Sequence, residues 1–395
     1  MSKIVDAATA LLLCEGQMFM ARRHCAMPIF PGYHAFPGGK VDAADSDAPF
    51  THPLLTAHPP RVMRALLREL EEELGLDLLA MCERGEIERV HYLGNALTPP
   101  IASLRFNTWF FKISFKTRPA LNLDTREHDL AEWASPAQWR ERYERGEILL
   151  APPTRATIET FSSNADADAV AGLAFDQREF SELPMVEVLR GVRQIFVRSN
   201  TLPPAIHTNC FLLGDAQSHR ILVDPSPNTR EELEQLKTLC QRLVIHEVFL
   251  THHHPDHRQY ANELALHFNA PLGLSQVTYD FIKGKEGLKF FAGLSINTYQ
   301  EGDVLCRWLG QPVRVLTVPG HDEGQLALMP DNRAWCIVGD LIQGIGTVVI
   351  AKPEGHMGRY YQSLQKIIAL KPRVIYPSHG GGMGSTYRLE ETLRH

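Results

Sequence analysis

Apolar residues along this chain follow two patterns, one typical of strands and one typical of helices. Short apolar runs predict strands, one at residues 7–14 near the start and another at 243–250 in the second half, where the run is rich in β-branched residues and predicts a buried strand. From about Arg61 the spacing is helical instead, and Gly75 is a suitable residue to end that helix. One face of the predicted helix is made by Leu66, Leu67, Leu70 and Leu74.

The loop after the run 243–250 contains four histidines and one aspartate within seven residues. Alternate residues leaving a strand point the same way, so His252 and His254 can share one metal ion. Asp256 and His257 then face a neighbouring position. Imidazole and carboxylate groups are ligands of zinc and similar divalent ions. A histidine-rich surface loop can also bind metal by accident, and this segment alone leaves that interpretation open.

Three more residues of ligand type follow short apolar runs further along the chain: His321, Asp340 and His379. Each alone would more often be an ordinary polar loop residue, but all three recur at predicted strand ends after the first cluster. The complete set suits two metal ions, with Asp340 as a bridge. The first group of ligands is His252, His254 and His321, and the second is Asp256, His257 and His379.

These residues resemble the metallo-β-lactamase superfamily, whose signature is His-x-His-x-Asp-His followed by His, Asp and His at strand ends. The resemblance covers roughly residues 183–395 and includes an early strand that ends in Asp224. Residues 344–348 are similar to the glyoxalase-II-like branch, which includes thioesterases and some endoribonucleases. The resemblance implies an αββα sandwich that holds two zinc or other divalent ions. It also implies a bridging hydroxide that attacks a thioester, ester, lactone or phosphodiester.

The predicted helix that begins near Arg61 carries a second set of candidate ligands. Glu69, Glu72 and Glu73 fall within about 100° of one another on one face. Taken alone, such a run is more often an ordinary solvated acidic face. A cation would relieve the repulsion between the carboxylates, and oxygen ligands suit magnesium or manganese. The upstream loop favours the metal, because Gly38 and Gly39 let the backbone approach a ligand closely.

Loop and helix together resemble the Nudix box, G-x5-E-x7-R-E-U-x-E-E-x-G-U with U aliphatic. The resemblance implies an α/β/α sandwich that hydrolyses a nucleoside diphosphate linked to another group, with magnesium or manganese. It makes Gly39 the box glycine, Glu72 a metal ligand and water activator, and Arg68 the residue that orients the glutamates. Asp45 stands where the box has its first glutamate, and roughly fifteen extra residues separate it from Arg68. The metal ligands implied by the box are Glu69, Glu72 and Glu73.

Coenzyme A is a candidate substrate of the N-terminal part. Proteins similar to coenzyme A diphosphatases carry R-S-A-x3-R-x3-G-x3-F-P-G-G at the loop. Arg22, Gly32 and residues 36–39 match that spacing, whereas Arg23 and Pro28 replace a serine and an arginine. Half of the motif is therefore present. The residues expected to contact the substrate are Arg22, Gly38, Gly39 and Lys40.

The length of 395 residues, 44% of them hydrophobic and 22% charged, suits two globular domains. We expect a Nudix domain at 1–163, a linker at 164–183 and a metallo-β-lactamase-like domain at 184–395. The fold class is therefore α/β (α+β). The chain stops inside a predicted helix, 387–394, whereas glyoxalase-II-like proteins continue further, so metal binding is expected more firmly than turnover.

Composition restricts the partners and the compartment. Seven cysteines without a C-x-x-C pair argue against a disulfide framework. The run 7–14 lacks a preceding basic cluster and predicts a strand rather than a signal peptide. No stretch reaches the length of a membrane helix. We therefore expect a cytoplasmic protein that acts on small molecules. A net charge of −6 disfavours nucleic acid, whose binders usually present a basic surface.

Three functional hypotheses follow from the sequence. The first is a bifunctional hydrolase, with a Nudix diphosphatase and a binuclear thioesterase or esterase, whose catalytic residues include Arg68, Glu72 and Asp256. The second makes the Nudix part a nucleotide-binding module that regulates the other site. The third is an endoribonuclease or other phosphodiesterase at the second site.

Overall fold

The structure of the protein is a computed structural model. The residues that it describes are 4–98, 105–173, 183–215 and 217–394. The chain divides into two compact units. One contains Met1–Met27 and Tyr33–Glu179, and the other contains Pro28–Gly32 and Phe180–His395.

The first unit is built on a seven-stranded mixed sheet. Its strands are β1 (Ile4–Cys14), β2 (Gln17–Arg23), β3 (His34–Ala35), β4 (Gly38–Lys40), β5 (Ile87–Leu97), β6 (Arg105–Phe115) and β7 (His128–Ala134). The order is β3-β2-β1-β6-β5, with β4 paired to β1 and β7 to β2. Strands β1 and β6 run parallel, and β5 and β6 run antiparallel. The predicted first strand at 7–14 is therefore confirmed.

In the part of the first unit that the structure describes, four helices accompany this sheet. They are α1 (Pro60–Leu74), α2 (Leu78–Glu83), α3 (Pro136–Glu144) and α4 (Pro152–Ser163). Proline at the first position of α1 suits a helix start, because the missing N–H would have no partner there. Gly75 ends α1 in the left-handed conformation, with φ of 67°, as the sequence predicts. The leucine face of α1 packs in the core with Leu12 and Phe111 of the sheet.

Residues 164–173 follow α4 and pack onto the first unit. Ala167, Val170 and Leu173 are buried in a cluster with residues of the sheet and of α4. The backbone N–H of Val170 also donates to the carbonyl of Leu93, and the buried ammonium of Lys112 contacts Asp168 at 2.8 Å. The predicted boundaries at 163 and 184 stay predictions, and residues 174–182 of the predicted linker lie outside the described residues.

The second unit contains two sheets. The seven-stranded sheet, in the order β14-β13-β12-β11-β10-β9-β8, is formed by β8 (Met185–Leu189), β9 (Val192–Arg198), β10 (His207–Leu213), β11 (Ile221–Val223), β12 (Glu247–Phe249), β13 (Leu272–Leu274) and β14 (Ile296–Thr298). The six-stranded sheet, in chain order, is formed by β15 (Val304–Trp308), β16 (Gln311–Thr317), β17 (Leu326–Pro330), β18 (Cys336–Ile337), β19 (Val374–Tyr376) and β20 (Met383–Gly384). Phe211 of one sheet contacts Tyr376 of the other, with ring centroids 5.5 Å apart.

Helices of the second unit pack with each of its sheets. The helices are α5 (Arg230–Cys240), α6 (Pro255–Arg258), α7 (Ala261–Phe268), α8 (Gln276–Glu286), α9 (Met357–Leu370) and α10 (Tyr387–Arg394). Side chains of α5, α7 and α8 join a core with the seven-stranded sheet. Side chains of α9 and α10 join another with the six-stranded sheet. The mixed α/β class and the two-domain arrangement predicted from the sequence are confirmed.

One predicted strand is shorter than its apolar run. The run 243–250 predicts a strand, but β12 contains only three residues, because its parallel partner β11 is equally short. The flanking Leu243 and Leu250 still pack in the core, so burial accounts for their apolar character. No helix in the described residues is long and apolar enough to cross a membrane.

Candidate metal centres

The predicted ligands of the second unit lie where strands end. His252 and His254 follow β12, and Asp340 follows β18 in a short 3-10 turn, Gly339–Leu341. His379 follows β19, and His321 lies in the turn from β16 to β17. Because β18 and β19 run parallel, their carboxyl ends meet at one edge. Four loops that are distant in sequence therefore converge on one place.

Three histidine nitrogens meet on one side of this place. Nδ1 of His254 lies 3.1 Å from Nε2 of His252 and 3.0 Å from Nε2 of His321. All three atoms lie close enough to one another to bind a single metal ion. The structure thus brings together the first predicted group.

The second predicted group converges beside the first. Oδ2 of Asp256 lies 3.8 Å from Nε2 of His257 and 3.5 Å from Nε2 of His379. These three side chains again offer ligand atoms within reach of one ion. His252 also comes close to His257 and Asp340, so the two groups share a boundary.

Asp340 spans the two groups with its two carboxylate oxygens. Oδ1 lies 3.4 Å from Nε2 of His379 and 3.6 Å from Nε2 of His257, whereas Oδ2 lies 3.6 Å from Nε2 of His321. Nε2 of His257 and Oδ1 of Asp340 are buried, yet neither has a hydrogen-bond partner among the residues that the structure describes. Buried polar atoms are normally paired, so divalent cations between these atoms would supply the missing partners. The donor set therefore fits two such ions.

Electrostatics differ between the two sides. Burial lowers the pKa of His254 to about 4, and the neighbouring His321 adds to the shift. Burial likewise lowers the pKa of His252 well below its usual value, with His257 contributing. Both imidazoles are thus neutral at pH 7, and a neutral imidazole is the form that binds metal.

On the side of Asp256, His257 and His379, the nearby carboxylates stabilise the protonated form of histidine. Burial alone would lower the pKa of His379, but its contacts with Asp256 and Asp340 raise it to about 9. Burial likewise opposes charge on Asp340, yet His257 and His379 hold the pKa of its carboxyl well below the usual range. Metal binding on this side would therefore displace protons, because the ligand form of histidine is neutral.

The predicted Nudix helix presents its glutamates toward the glycine loop. Burial raises the pKa of Glu73 to about 8, although the backbone N–H of Gly38 donates to its Oε2 at 3.1 Å. A Cβ added at Gly39 would lie 2.4 Å from the carboxylate of Glu69, so that carboxylate would have to move if another residue replaced the glycine. Glu72 is the most open of the three glutamates, with 59% of its side chain exposed. A buried carboxylate that is costly to ionise fits a nearby cation.

Arg68 holds this acidic surface in place. Its guanidinium donates to Oε1 of Glu69 at 2.8 Å, to Oε2 of Glu72 at 3.2 Å and to the carbonyl of Lys40 at 2.9 Å. It also pairs with Asp45, whose buried carboxylate lies 3.4 Å away. Asp45, which departs from the box in sequence, therefore contacts the arginine that orients the glutamates.

Comparison with protein families gives two separate matches along the chain. The NUDIX domain model matches residues 3–151, and the metallo-β-lactamase superfamily model matches residues 203–379. The chain carries a Nudix domain followed by a metallo-β-lactamase domain.

Three curated relatives illustrate the similarity. Hydroxyacylglutathione hydrolase of Photobacterium profundum is 30% identical over 179 residues, which are 45% of this chain and 63% of that protein. Atrochrysone carboxyl ACP thioesterase of Aspergillus fumigatus is 29% identical over 213 residues, 53% of this chain and 62% of that protein. Lactamase-like protein nscB of Neosartorya fischeri is 27% identical over 199 residues, 49% of this chain and 55% of that protein. The chain thus spans less than two thirds of each of these relatives.

The predicted substrate residues of the Nudix domain lie in different settings. Gly38 and Gly39 lie in β4 against the glutamates, and Lys40 has an exposed side chain. Arg22 instead pairs with Asp129 of β7, with Nε and Oδ1 2.6 Å apart. The neighbouring Arg23 interacts electrostatically with the glutamates. Burial lowers its pKa, and Glu73, Glu127 and Glu69 oppose that shift.

A cleft of about 420 Å³ opens beside the ligands of the metallo-β-lactamase domain. His254, Asp256, His321 and Asp340 lie in its wall. Lys352 is the one lysine or arginine among the described residues that line it. The apolar part of the wall consists of Leu202, Pro203, Pro204, Val349, Ala351 and Pro353.

Several residues around the ligands were not assigned a role from the sequence. Asp224, noted only as a strand end, accepts from the backbone N–H of Thr251 at 2.7 Å and lies 2.9 Å from Nδ1 of His257. The strand-end pattern that identified the ligands could have assigned it. The other missed residues are His253, Lys285, Asp322 and Glu354, and nothing near Lys285 or Glu354 in the sequence indicates their position.

Proposed function

We propose that the metallo-β-lactamase domain hydrolyses a thioester or ester at a binuclear zinc or similar divalent metal centre. The observation that carries this proposal is the position of Asp340, which reaches the two ligand groups with separate oxygens. The names of two relatives, a hydroxyacylglutathione hydrolase and an ACP thioesterase, support thioesters as the substrate class.

The residues of this site have distinct tasks. His252, His254 and His321 would hold one cation, Asp256, His257 and His379 the other, and Asp340 both. Cations there would supply a nucleophile at neutral pH and polarise the scissile carbonyl. The walls of the cleft orient the substrate, since Val349 and its apolar neighbours accept an apolar group and Lys352 offers an ammonium to an acidic one.

For the Nudix domain we propose hydrolysis of a nucleoside diphosphate derivative with magnesium or manganese. Glu69, Glu72 and Glu73 would hold the cation, which would neutralise charge on the diphosphate. Glu72, the exposed member, would take a proton from the attacking water. Arg68 keeps the carboxylates together through its contacts with Glu69 and Glu72.

Acetyl coenzyme A tests both proposals at once, because it contains a diphosphate and a thioester. Mass spectrometry after incubation with magnesium and zinc distinguishes the two reactions. Release of an adenosine bisphosphate reports diphosphate hydrolysis and should disappear in Glu72→Gln. Release of free coenzyme A reports thioester hydrolysis and should disappear in Asp256→Ala. Survival of the substrate with both metals would contradict coenzyme A, and other acyl thioesters and nucleoside diphosphate derivatives would then be compared.

A further inference from the structure

A polar cluster lies behind the three-histidine side of the metal centre. Oε2 of Glu354 lies 3.3 Å from Nε2 of His254 and 3.1 Å from Nε2 of His253. Nζ of Lys285 lies 2.9 Å from Oε1 of Glu354 and 3.1 Å from Nε2 of His253. Asp322 contacts Nδ1 of His253 on the opposite edge of the ring. None of these four residues belongs to the predicted ligands.

His254 is the predicted ligand that contacts the carboxylate of this cluster. Its Nδ1 faces Nε2 of both His252 and His321, and its Nε2 faces the carboxylate of Glu354. A carboxylate that accepts the second ring N–H of a metal-binding histidine fixes both the tautomer and the orientation of the ring. The other contacts of His254 are ring packing with its histidine neighbours, which does not select a tautomer.

Glu354 is itself held in place. Lys285 extends from the last turn of α8 and binds one carboxylate oxygen, while His253 lies against the other. His253 is fully buried and stacks on Phe281, with ring centroids 4.6 Å apart and an angle of 10°. Asp322 is buried too, and its Oδ1 accepts from the backbone N–H of Gly324 at 2.6 Å. The position of Glu354 is therefore determined by a buried histidine, His253, and by the half-exposed side chain of Lys285.

We propose that Glu354 is a positioning residue for His254, which it holds with Nδ1 directed at the three-histidine metal position. Lys285 and the His253–Asp322 pair keep Glu354 where this contact requires it. The inference rests on the metal pair of the proposed function, and it concerns metal affinity and geometry on one side of that pair.

A third metal ion is the competing explanation of the cluster, because His253, His254, Asp322 and Glu354 offer ligand atoms within reach of one ion. The ammonium of Lys285 argues against it. It already supplies a positive charge within 3.1 Å of both His253 and Glu354, and a metal cation there would repel it. We therefore assign the cluster to positioning.

The opposite side of the centre has a comparable carboxylate. Asp224 lies 2.9 Å from Nδ1 of His257, just as Glu354 lies beside the outer nitrogen of His254. Asp224 is fully buried, whereas the side chain of Glu354 is 22% exposed and belongs to the wall of the cleft. Glu354 can therefore be substituted with little risk to the fold, and the change should affect one side only.

Cobalt binding to the full chain tests this assignment without relying on activity. The wild type, Glu354→Ala, Glu354→Gln and Lys285→Met would be titrated with Co²⁺ against a chelator, with absorption spectra recorded. We expect Glu354→Ala to bind one of two Co²⁺ equivalents about 10–100-fold more weakly, with an altered spectrum for that ion. Glu354→Gln, which keeps an acceptor oxygen, should lose less, and Lys285→Met should change affinity in the same direction.

Glu301→Ala is the matched control, since Glu301 also pairs with a lysine, Lys366, and its other hydrogen-bond partner among the described residues is Thr317, which is not a predicted ligand. It should bind both ions like the wild type. Wild-type affinity and spectrum in a folded Glu354→Ala would overturn the positioning role. A third tight equivalent that disappears in this variant would overturn it in favour of a third metal site. A wild type that binds no Co²⁺ would instead contradict the ligand set and with it the proposed function.

Discussion

The two candidate sites of this chain are assembled in opposite ways. The Nudix site takes its acidic groups from one helix, where Glu69, Glu72 and Glu73 lie within five residues of one another. The other site gathers ligands from loops between His252 and His379, and its central carboxylate, Asp340, is only 6% exposed. A helix therefore creates the first site almost locally, whereas the second exists only once two sheets are formed. The sites should consequently respond separately to substitution.

Substitution of Asp340 should produce the largest effect and leave the Nudix site alone. Asp340→Ala removes the group that contacts both ligand sets, so thioester hydrolysis should fall at least about 10³-fold, the upper end for loss of one charge-stabilising group. Diphosphate hydrolysis by the same preparation should stay within twofold. Both rates can be followed by mass spectrometry of the products. Asp331→Ala, at an exposed aspartate paired with Arg314, is the control. Equal loss of both activities would contradict the independence of the sites.

Substitution of Glu72 is the reciprocal experiment. Glu72→Gln should lower diphosphate hydrolysis about 10²–10⁴-fold, the range for loss of a group that accepts a proton in the reaction, while thioester hydrolysis is unchanged. Glu71→Gln, one position earlier on α1, has an exposed side chain and should behave like the wild type. If Glu71→Gln caused the same loss, the total negative charge of α1 would explain the result, and the position of Glu72 would not.

The contrast between the sites also explains what the sequence could predict. Helical periodicity located α1 and its end at Gly75, because both depend on neighbouring residues. The apolar runs located the ligand loops, because each ligand follows its strand directly. Glu354 could not be found in this way, since it meets His254 across 100 residues of sequence. Its position depends on how a loop packs against α8, which no local pattern encodes.

In the first unit a buried histidine, His34, is not one of the predicted metal ligands. The pH dependence of the unfolding free energy should reveal its contribution to stability. His34 is 6% exposed, and burial lowers its pKa from 6.5 to about 4. Between these values the unfolded chain binds the proton and the folded chain does not, so stability is present above pH 6.5 and is lost toward pH 4. The loss should amount to about 3 kcal/mol.

Denaturant unfolding of the wild type and His34→Leu from pH 7 to pH 4 measures this contribution. The variant removes a ring whose Nδ1 has no hydrogen-bond partner in the described part of the chain, so its unfolding free energy should vary less with pH. Both proteins keep the same metal ligands, and the difference between them therefore isolates His34. Parallel curves for the two proteins would show that His34 is not responsible for the acid sensitivity.

The smallest predicted effect tests how closely the glycine loop approaches the Nudix helix. In Gly39→Ala the new Cβ would lie 2.4 Å from the carboxylate of Glu69, which Arg68 holds at 2.8 Å. The carboxylate must move, so the Mg²⁺ concentration needed for half-maximal diphosphate hydrolysis should rise about tenfold, equivalent to about 1.4 kcal/mol. The unfolding free energy should fall by about 1 kcal/mol, because the added atom overpacks the contact.

Gly284→Ala is the control for this substitution, because a Cβ at that position of α8 meets no atom within 4 Å. Alanine is the better helix former, so this variant should be as stable as the wild type or slightly more stable. Thioester hydrolysis should be unchanged in Gly39→Ala, since no ligand of the second site is altered. An unchanged Mg²⁺ requirement in Gly39→Ala would mean that Glu69 moves without cost, and Glu72 and Glu73 alone would then define the cation site.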